Sequence, residues 1–316
     1  MPDNFDPTGS HPTAEPKALE APRLRSWFSP PGTKRGGLFA LQFVPLYLAG
    51  GGLLVYLLWM LAGALLPANA PKLWGQLLVE AIFAIGAIAP AFAISAIEVR
   101  PFADYGLPGD IAWQKPFSMG CLAGIVALSC LLLVLDWLGT LSFEGVALHG
   151  LRSLKFALFW GLFFLLVAFF EEFAFRGYLL LALSEAIGFW PAAVISSLAF
   201  GYTHRNNAGE TWVGALGAAA IGLFFCFTLR RTGNLWFAVG LHASWDWAQS
   251  FLYGVPDSGT REPGHLFKAV LHGPAWLSGD PVGPEGSVLI FVLIALMWMA
   301  FNRLYPKPAY PPMRRS

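Results

Sequence analysis

The chain has 316 residues, of which 56% are hydrophobic and only 12% are charged, and its mean hydropathy is +0.57. Soluble domains carry roughly 25% charged residues, so this composition excludes a soluble globular protein. The net charge is only +1. Nucleic-acid binding usually requires a concentrated basic face, so nucleic acid is not an expected partner.

The polar start of the chain and its long apolar segments predict the domain organisation. Residues 1–36 are rich in proline and charge and lack the apolar stretch of a signal peptide, so we predict a disordered cytosolic tail there. Crossing the hydrocarbon core requires about 20 mostly apolar residues. Eight segments meet this requirement: 38–66, 74–97, 117–139, 155–173, 178–203, 212–229, 234–252 and 287–304.

These segments predict an all-α fold, a polytopic membrane helix bundle of about eight transmembrane helices over residues 37–305, followed by a cytosolic tail at 306–316. The fifth segment is interrupted by Ser184, Glu185, Gly188 and Pro191, which predicts a short helical piece and a second one beginning near Trp190. The long hydrophilic connection 253–286 is expected on the outer face, and no chemistry is assigned to it.

The distribution of Lys and Arg predicts the orientation, because cytoplasmic loops carry the excess of these residues. With the N-terminus inside, one side of the membrane holds fourteen of the 20 Lys and Arg residues. The other side holds six, namely Lys72, Arg152, Lys155, Arg205, Arg261 and Lys268. We therefore expect both termini in the cytoplasm and a multi-pass protein, which would lie in the plasma membrane if the chain is prokaryotic.

Ionisable side chains inside a spanning helix cost about 2.5 to 3.5 kcal/mol on insertion scales and are functional candidates by default. The densest group is Glu171, Glu172 and Arg176 at the cytoplasmic end of the fourth segment. Glu172 and Arg176 are four residues apart on one helical face, which predicts an ion pair. Glu171 points about 100° away from Glu172 and is expected to meet a different neighbour.

Two further segments carry polar groups. Phe200 and His204 end the fifth segment, and His242 and Asp246 lie four apart in the seventh, so the last two can meet across one helical face. If the three faces converge, they enclose carboxylates and imidazoles away from lipid. An apolar environment makes the ionised form of a glutamate less stable, so this glutamate can take a proton from water and later return it. A histidine can stabilise the oxyanion that forms during hydrolysis.

Each motif also has a purely structural interpretation. A Glu–Arg pair at a helix end can anchor the helix at the headgroup level, and His204, next to Arg205 and Asn206, can be a surface histidine. The pair of His242 and Asp246 can form a structural hydrogen bond between helices.

Taken together, EExxxR at 171–176, FxxxH at 200–204 and HxxxD at 242–246 resemble the CPBP family of CAAX-processing and bacteriocin-processing membrane proteases. The resemblance covers roughly residues 150–250, the expected catalytic core, and the segment from Arg100 to Leu107 is similar to the family's sequence before that core. It implies a glutamic-type intramembrane endopeptidase that acts on a peptide or lipidated protein substrate in the lipid bilayer, with no cofactor and no metal.

The resemblance also implies roles for the six candidate residues. Glu171 is similar to the family's water-activating glutamate, and Glu172 and Arg176 would support and orient it. His204 and His242 would correspond to two essential histidines that position water and stabilise the oxyanion. Asp246 stands where the family has Asn or Asp; because an ionised Asp cannot donate a hydrogen bond, it is expected to orient His242 or to act protonated.

Three other functions stay open. Two His and one Glu are a known zinc ligand set, so a zinc-dependent membrane protease is an alternative, although the usual HExxH helix is absent. A non-catalytic membrane binding or bacteriocin-immunity protein could use the same polar cavity. A transporter is disfavoured because no inverted repeat is visible.

Overall fold

The computed structural model describes residues 41–65, 67, 71–109 and 114–310. These residues are mostly helical. The α-helices are α1 (Val44–Leu65), α2 (Lys72–Glu98), α3 (Gln114–Trp137), α4 (Gly150–Arg176), α5 (Tyr178–Ile187), α6 (Phe189–His204), α7 (Trp212–Thr232), α8 (Trp236–Trp247), α9 (Ala275–Ser278) and α10 (Leu289–Leu304). A π-helical segment, Ala248–Tyr253, continues α8. The predicted tail at 1–36 and residues 311–316 lie outside the described residues.

Five helical segments of the described chain are long and apolar enough to cross a membrane, namely Val44–Leu65, Lys72–Glu98, Gln114–Trp137, Gly150–Ile187 and Trp212–Thr232. Helix α1 buries only Tyr47, and its exposed leucines suit contact with lipid because the bilayer core contains no water to bind polar groups. The helices therefore indicate a multi-pass integral membrane protein.

Each of the eight predicted segments coincides with helix, but not each is a long span. The interruption of the fifth segment is confirmed: α5 ends at Ile187, Gly188 takes a φ of 91°, and α6 begins at Phe189. The seventh segment is the short α8 with its π-helical continuation, and the eighth is the 16-residue α10. A left-handed φ is accessible to glycine because it has no Cβ atom, so Gly188 allows the chain to turn between α5 and α6.

Glycines bring α3 and α8 into backbone contact. A Cβ atom on Gly120 would overlap the carbonyl oxygen of Phe237, and one on Gly124 would overlap that of Leu241. From the other side, a Cβ atom on Gly240 would overlap the carbonyl oxygen of Phe117. Small residues allow close helix packing where lipid supplies no hydrophobic drive between helices. This glycine contact fixes the position of α8, which carries His242.

A two-stranded sheet covers one end of the bundle. Strand β1 (Leu141–Val146) pairs antiparallel with β2 (Phe267–Leu271), with Leu141 opposite Leu271. The prediction of an all-α fold omitted this sheet, because β1 is short and its partner lies in the 253–286 connection. The sheet ties that connection to the chain between α3 and α4.

At the opposite end of the bundle, residues 306–310 pack against α7. Arg230 donates to the carbonyl oxygen of Tyr310 and Arg231 to that of Pro306, and the Tyr310 side chain is buried. The described part of the predicted 306–316 tail is therefore attached to the bundle.

Candidate active site

Helix α4 carries the two glutamates at its buried end. Glu172 and Arg176 are fully buried and form the predicted ion pair, with 3.2 Å between Oε1 and Nη1. The Glu171 side chain is 23% exposed and faces a cavity that Glu172 does not line. The 100° rotation between adjacent helical residues thus gives the two carboxylates different surroundings.

Aromatic rings surround the Arg176 guanidinium. Its Cζ atom lies 4.1 Å from the centroid of Phe200 and 5.6 Å from that of Phe225, distances at which a cation is attracted to a ring face. A Cβ atom on Gly222 would overlap Nη2 of Arg176. The glycine in α7 therefore leaves the space that the guanidinium fills.

His242 connects the carboxylates. Its Nδ1 lies 2.9 Å from Oε1 of Glu172, and its Nε2 lies 3.4 Å from Oδ2 of Asp246 and 3.7 Å from Oε2 of Glu171. An ionised Glu172 can only accept, so Nδ1 carries a proton and donates it. Nε2 then faces the carboxyl groups of Asp246 and Glu171. A hydrogen bond to either group requires a second proton, on Nε2 or on that carboxyl group.

His204 ends α6 at the wall of the same cavity. Its Nδ1 lies 2.8 Å from the carbonyl oxygen of Phe200, so Nδ1–H donates to that carbonyl and Nε2 is the nitrogen available to the cavity. Within the described residues, no hydrogen bond or ion pair joins His204 to the other five candidates. The FxxxH spacing places the Phe200 ring 4.4 Å from the imidazole.

One cavity of about 280 Å³ brings Glu171, His204, His242 and Asp246 together. Glu172 and Arg176 lie behind its wall and reach it through His242. A smaller cavity of about 90 Å³ shares His204, His242 and Asp246 and extends along apolar residues of α7 and α10, including Ala218, Ile221 and Leu293. The three predicted polar faces therefore converge on one hollow that is large enough for water.

The connection 253–286 contributes residues to this cavity that the sequence analysis did not assign. Asp257, Ser258, Thr260 and Glu262 line it. Burial raises the pKa of the carboxyl groups of Asp257, Glu262 and Glu285, and the nearby Asp257 adds to the effect at Glu285. The only sequence signal for these groups was that Asp257 and Glu262 follow closely on the seventh segment.

Hydrogen bonds hold the connection against the end of α8. Ser250 Oγ donates to Asp257 Oδ2 over 2.9 Å, the Ser258 amide donates to Glu285 Oε1 over 2.7 Å, and Gln249 Nε2 donates to Glu285 Oε2 over 2.6 Å. The π-helical segment provides Gln249 and Ser250. The cavity wall on this side is therefore built by the connection and the end of the helix that carries His242.

Glutamate and histidine are also metal-ligand types. Among the described residues, no group of three or more His, Cys, Asp and Glu side chains has an arrangement that could hold a metal ion.

Residues 153–248 match the family model described as Rce1-like: Type II CAAX prenyl endopeptidase Rce1-like. The match includes all six candidate residues and confirms the resemblance to the CAAX-processing proteases. No curated protein and no solved structure matches the chain.

Proposed function

We propose that the protein is an intramembrane endopeptidase in which Glu171 activates the hydrolytic water, because residues 153–248 match the family model of the Rce1-like type II CAAX prenyl endopeptidases. The observation that carries the proposal is the approach of Glu171 Oε2 to His242 Nε2, 3.7 Å apart in a cavity that His204 also lines. The protein would then need no metal or cofactor for hydrolysis.

The reaction follows from the positions of these groups. Glu171 takes a proton from a water molecule, and the water oxygen attacks the scissile carbonyl carbon to form a tetrahedral oxyanion. His204 Nε2 accepts a hydrogen bond from the attacking water, and a protonated His242 Nε2 donates to the oxyanion. The C–N bond breaks as Glu171 returns its proton to the leaving nitrogen, so that a carboxylic acid and an amine are released.

Glu172, Arg176 and Asp246 act as positioning residues in this mechanism. Glu172 accepts from Nδ1 of His242 and thereby turns Nε2 toward the cavity, and Arg176 balances the charge of Glu172. Asp246, 3.4 Å from Nε2, holds the imidazole from the cavity side.

The test is cleavage of quenched prenyl-peptides and of a peptide library by purified protein in lipid. Glu171→Gln and Glu171→Ala should abolish turnover while the protein still inserts and folds. Glu144→Gln is the matched control, because Glu144 lies on the exposed sheet and pairs with Lys268, and it should keep full activity. Turnover by Glu171→Ala would refute glutamate catalysis.

The same assay separates the alternatives. A zinc-dependent protease would lose activity with a chelator and regain it with zinc. A binding or immunity protein would keep its function when His204 and His242 are both replaced. Loss of turnover in the Glu171 variants and in the double histidine variant, with no effect of a chelator on the wild type, would favour glutamate catalysis over both alternatives.

We also propose that eight helices cross the membrane and that both termini are cytoplasmic. The coincidence of every predicted segment with helix and the fourteen-to-six distribution of Lys and Arg support this arrangement. The helical domain would occupy 37–305 between the two tails. The proposed substrate is a prenylated or other peptide.

A further inference from the structure

The smaller cavity, of about 90 Å³, lies between α7, α8 and α10 and adjoins the larger one. His204, His242 and Asp246 line both cavities and form their shared boundary. The Phe225 ring stacks on the imidazole of His242, with 5.6 Å between the ring centroids and 19° between the ring planes, and Phe225 also lines the smaller cavity. This cavity therefore begins beside the imidazole that the proposed mechanism uses.

Most of the wall of the smaller cavity is apolar and comes from one face of α7 and one face of α10. The wall residues at the three- or four-residue spacing of a helical face include Ala218, Ile221, Phe225, Ile290, Leu293 and Ile294. Phe225, Ile290 and Ile294 are buried. Ligand pockets are typically lined in this way, by apolar side chains with a few polar groups, so an apolar group is the suitable occupant.

The carboxyl groups in the wall of the smaller cavity are bound within the protein. Glu210, Asp257 and Glu285 line it, and each of the three carboxyl groups already accepts a hydrogen bond from another residue of the chain. These hydrogen bonds hold the connection 253–286 and the turn before α7 in place. The three carboxyl groups therefore do not require a polar group on the occupant.

The volume of the smaller cavity fits a short aliphatic side chain. An apolar cavity of about 150 Å³ is large enough to bind benzene, so the volume of about 90 Å³ suits a smaller group, such as the side chain of leucine, isoleucine or valine. A prenyl chain consists of several isoprene units, each about as large as a leucine side chain. The lipid of a prenylated substrate therefore does not fit here and must lie elsewhere.

We propose that the smaller cavity is a specificity subsite, which receives the aliphatic side chain of the substrate residue next to the scissile bond. This inference rests on the proposed peptidase function and specifies one residue of its substrate. The Cα atom of that residue is bonded to the scissile carbonyl carbon or to the scissile nitrogen, and both atoms lie beside Glu171 and His242 during the reaction. Its side chain then enters past His242 and Asp246, and Ala218 and Leu293 set the size that fits.

Selectivity between peptides that differ only next to the scissile bond tests the subsite. The purified full-length protein in lipid is given quenched peptides with alanine, leucine or phenylalanine at this position, each made with and without a prenylated cysteine. The readout is a ratio of kcat/KM values, which does not depend on the fraction of folded protein. Because one methylene group in an apolar pocket changes kcat/KM by about 10- to 200-fold, we expect the wild type to prefer leucine over alanine by about tenfold or more.

Two substitutions change the size of the cavity in opposite directions. Ala218→Leu fills it and should lower the leucine-to-alanine ratio by about tenfold or more. Leu293→Ala enlarges it and should raise the phenylalanine-to-leucine ratio by about tenfold. The matched controls are Ala295→Leu and Leu296→Ala, because both residues are exposed on α10. These controls should leave both ratios unchanged.

The outcomes separate the subsite from the peptidase function. If turnover depends on Glu171 but neither Ala218→Leu nor Leu293→Ala changes the ratios, the subsite is refuted and the peptidase proposal stands. The subsite is also refuted if Ala218→Leu lowers only the turnover of prenylated peptides, because the cavity would then hold lipid. If the ratios shift as expected while Glu171→Ala keeps its turnover, only the role of Glu171 fails. If the wild type cleaves none of the peptides, the peptidase proposal fails and the subsite fails with it.

Discussion

Replacing Arg176 by Met tests whether the buried ion pair or the shape of the side chain stabilises the bundle. Both partners are fully buried, with 3.2 Å between Arg176 Nη1 and Glu172 Oε1. Breaking such a pair costs about 3 to 5 kcal/mol because a buried charge is left without a partner. Loss of the cation over the Phe200 ring, 4.1 Å away, adds up to about 2 kcal/mol.

The double variant Glu172→Gln with Arg176→Met separates charge from shape. It buries no unpaired carboxylate at residue 172, and the Gln oxygen can still accept from His242 Nδ1. Because replacing both members of a buried pair is far less harmful than removing one, we expect the double variant to recover about 2 kcal/mol relative to Arg176→Met alone.

The free energy of unfolding of the wild type, both single variants and the double variant can be measured by SDS titration in mixed micelles. The four values form a double-mutant cycle, whose interaction energy should be favourable by about 2 kcal/mol or more. A double variant as unstable as the sum of the two single variants would refute the reasoning. It would show that Arg176 stabilises the bundle by filling space rather than by pairing with Glu172.

Two further predictions concern space and pH. Gly222→Ala should displace the Arg176 guanidinium and cost about 1 to 3 kcal/mol in the same unfolding assay, whereas Gly63→Ala, which meets no atom within 4 Å, should be neutral or slightly stabilising. The pKa of Glu285 is raised to about 8 by burial and by Asp257. The stability that this carboxyl contributes is therefore full below its ordinary pKa near 4.5 and is lost as the pH rises through 8. Tryptic cleavage after Arg261, normalised to an unstructured peptide, should accelerate as the pH rises toward 8 and level off above it, and Asp257→Asn should shift this pH dependence because it lowers the pKa of Glu285. A rate that does not change over this range would contradict the prediction.

Local helical geometry explains which contacts could be predicted from the sequence. Glu172 with Arg176, and His242 with Asp246, are four residues apart, and both pairs are in contact in the structure. Such a contact depends only on the helical repeat. The position of Gly188 similarly predicted the break between α5 and α6, because a glycine near a proline interrupts a helix whatever surrounds it.

Contacts between distant segments could be predicted only through the family resemblance. Nothing in the periodicity of α4 and α8 shows that Glu172 and His242 meet at 2.9 Å, because helix rotation is set by packing at positions such as Gly240. The connection 253–286 is a clearer example of contacts that the sequence does not predict. Asp257 reaches the cavity because Ser250 and Glu285 hold this part of the chain against α8, and a hydrophilic loop carries no pattern that predicts such folding back.

The glycine contact between α3 and α8 has a consequence for any attempt to isolate the catalytic part of the chain. The family match begins at residue 153, whereas Gly120 and Gly124 precede it and touch the helix that bears His242. An excised fragment of 153–248 would carry all six candidate residues and still lack the neighbour that sets the depth and rotation of the imidazole. Hydrolytic competence in this protein is consequently a property of the longer bundle, and one added methyl group at residue 120 would disturb the site without altering any of its reacting atoms.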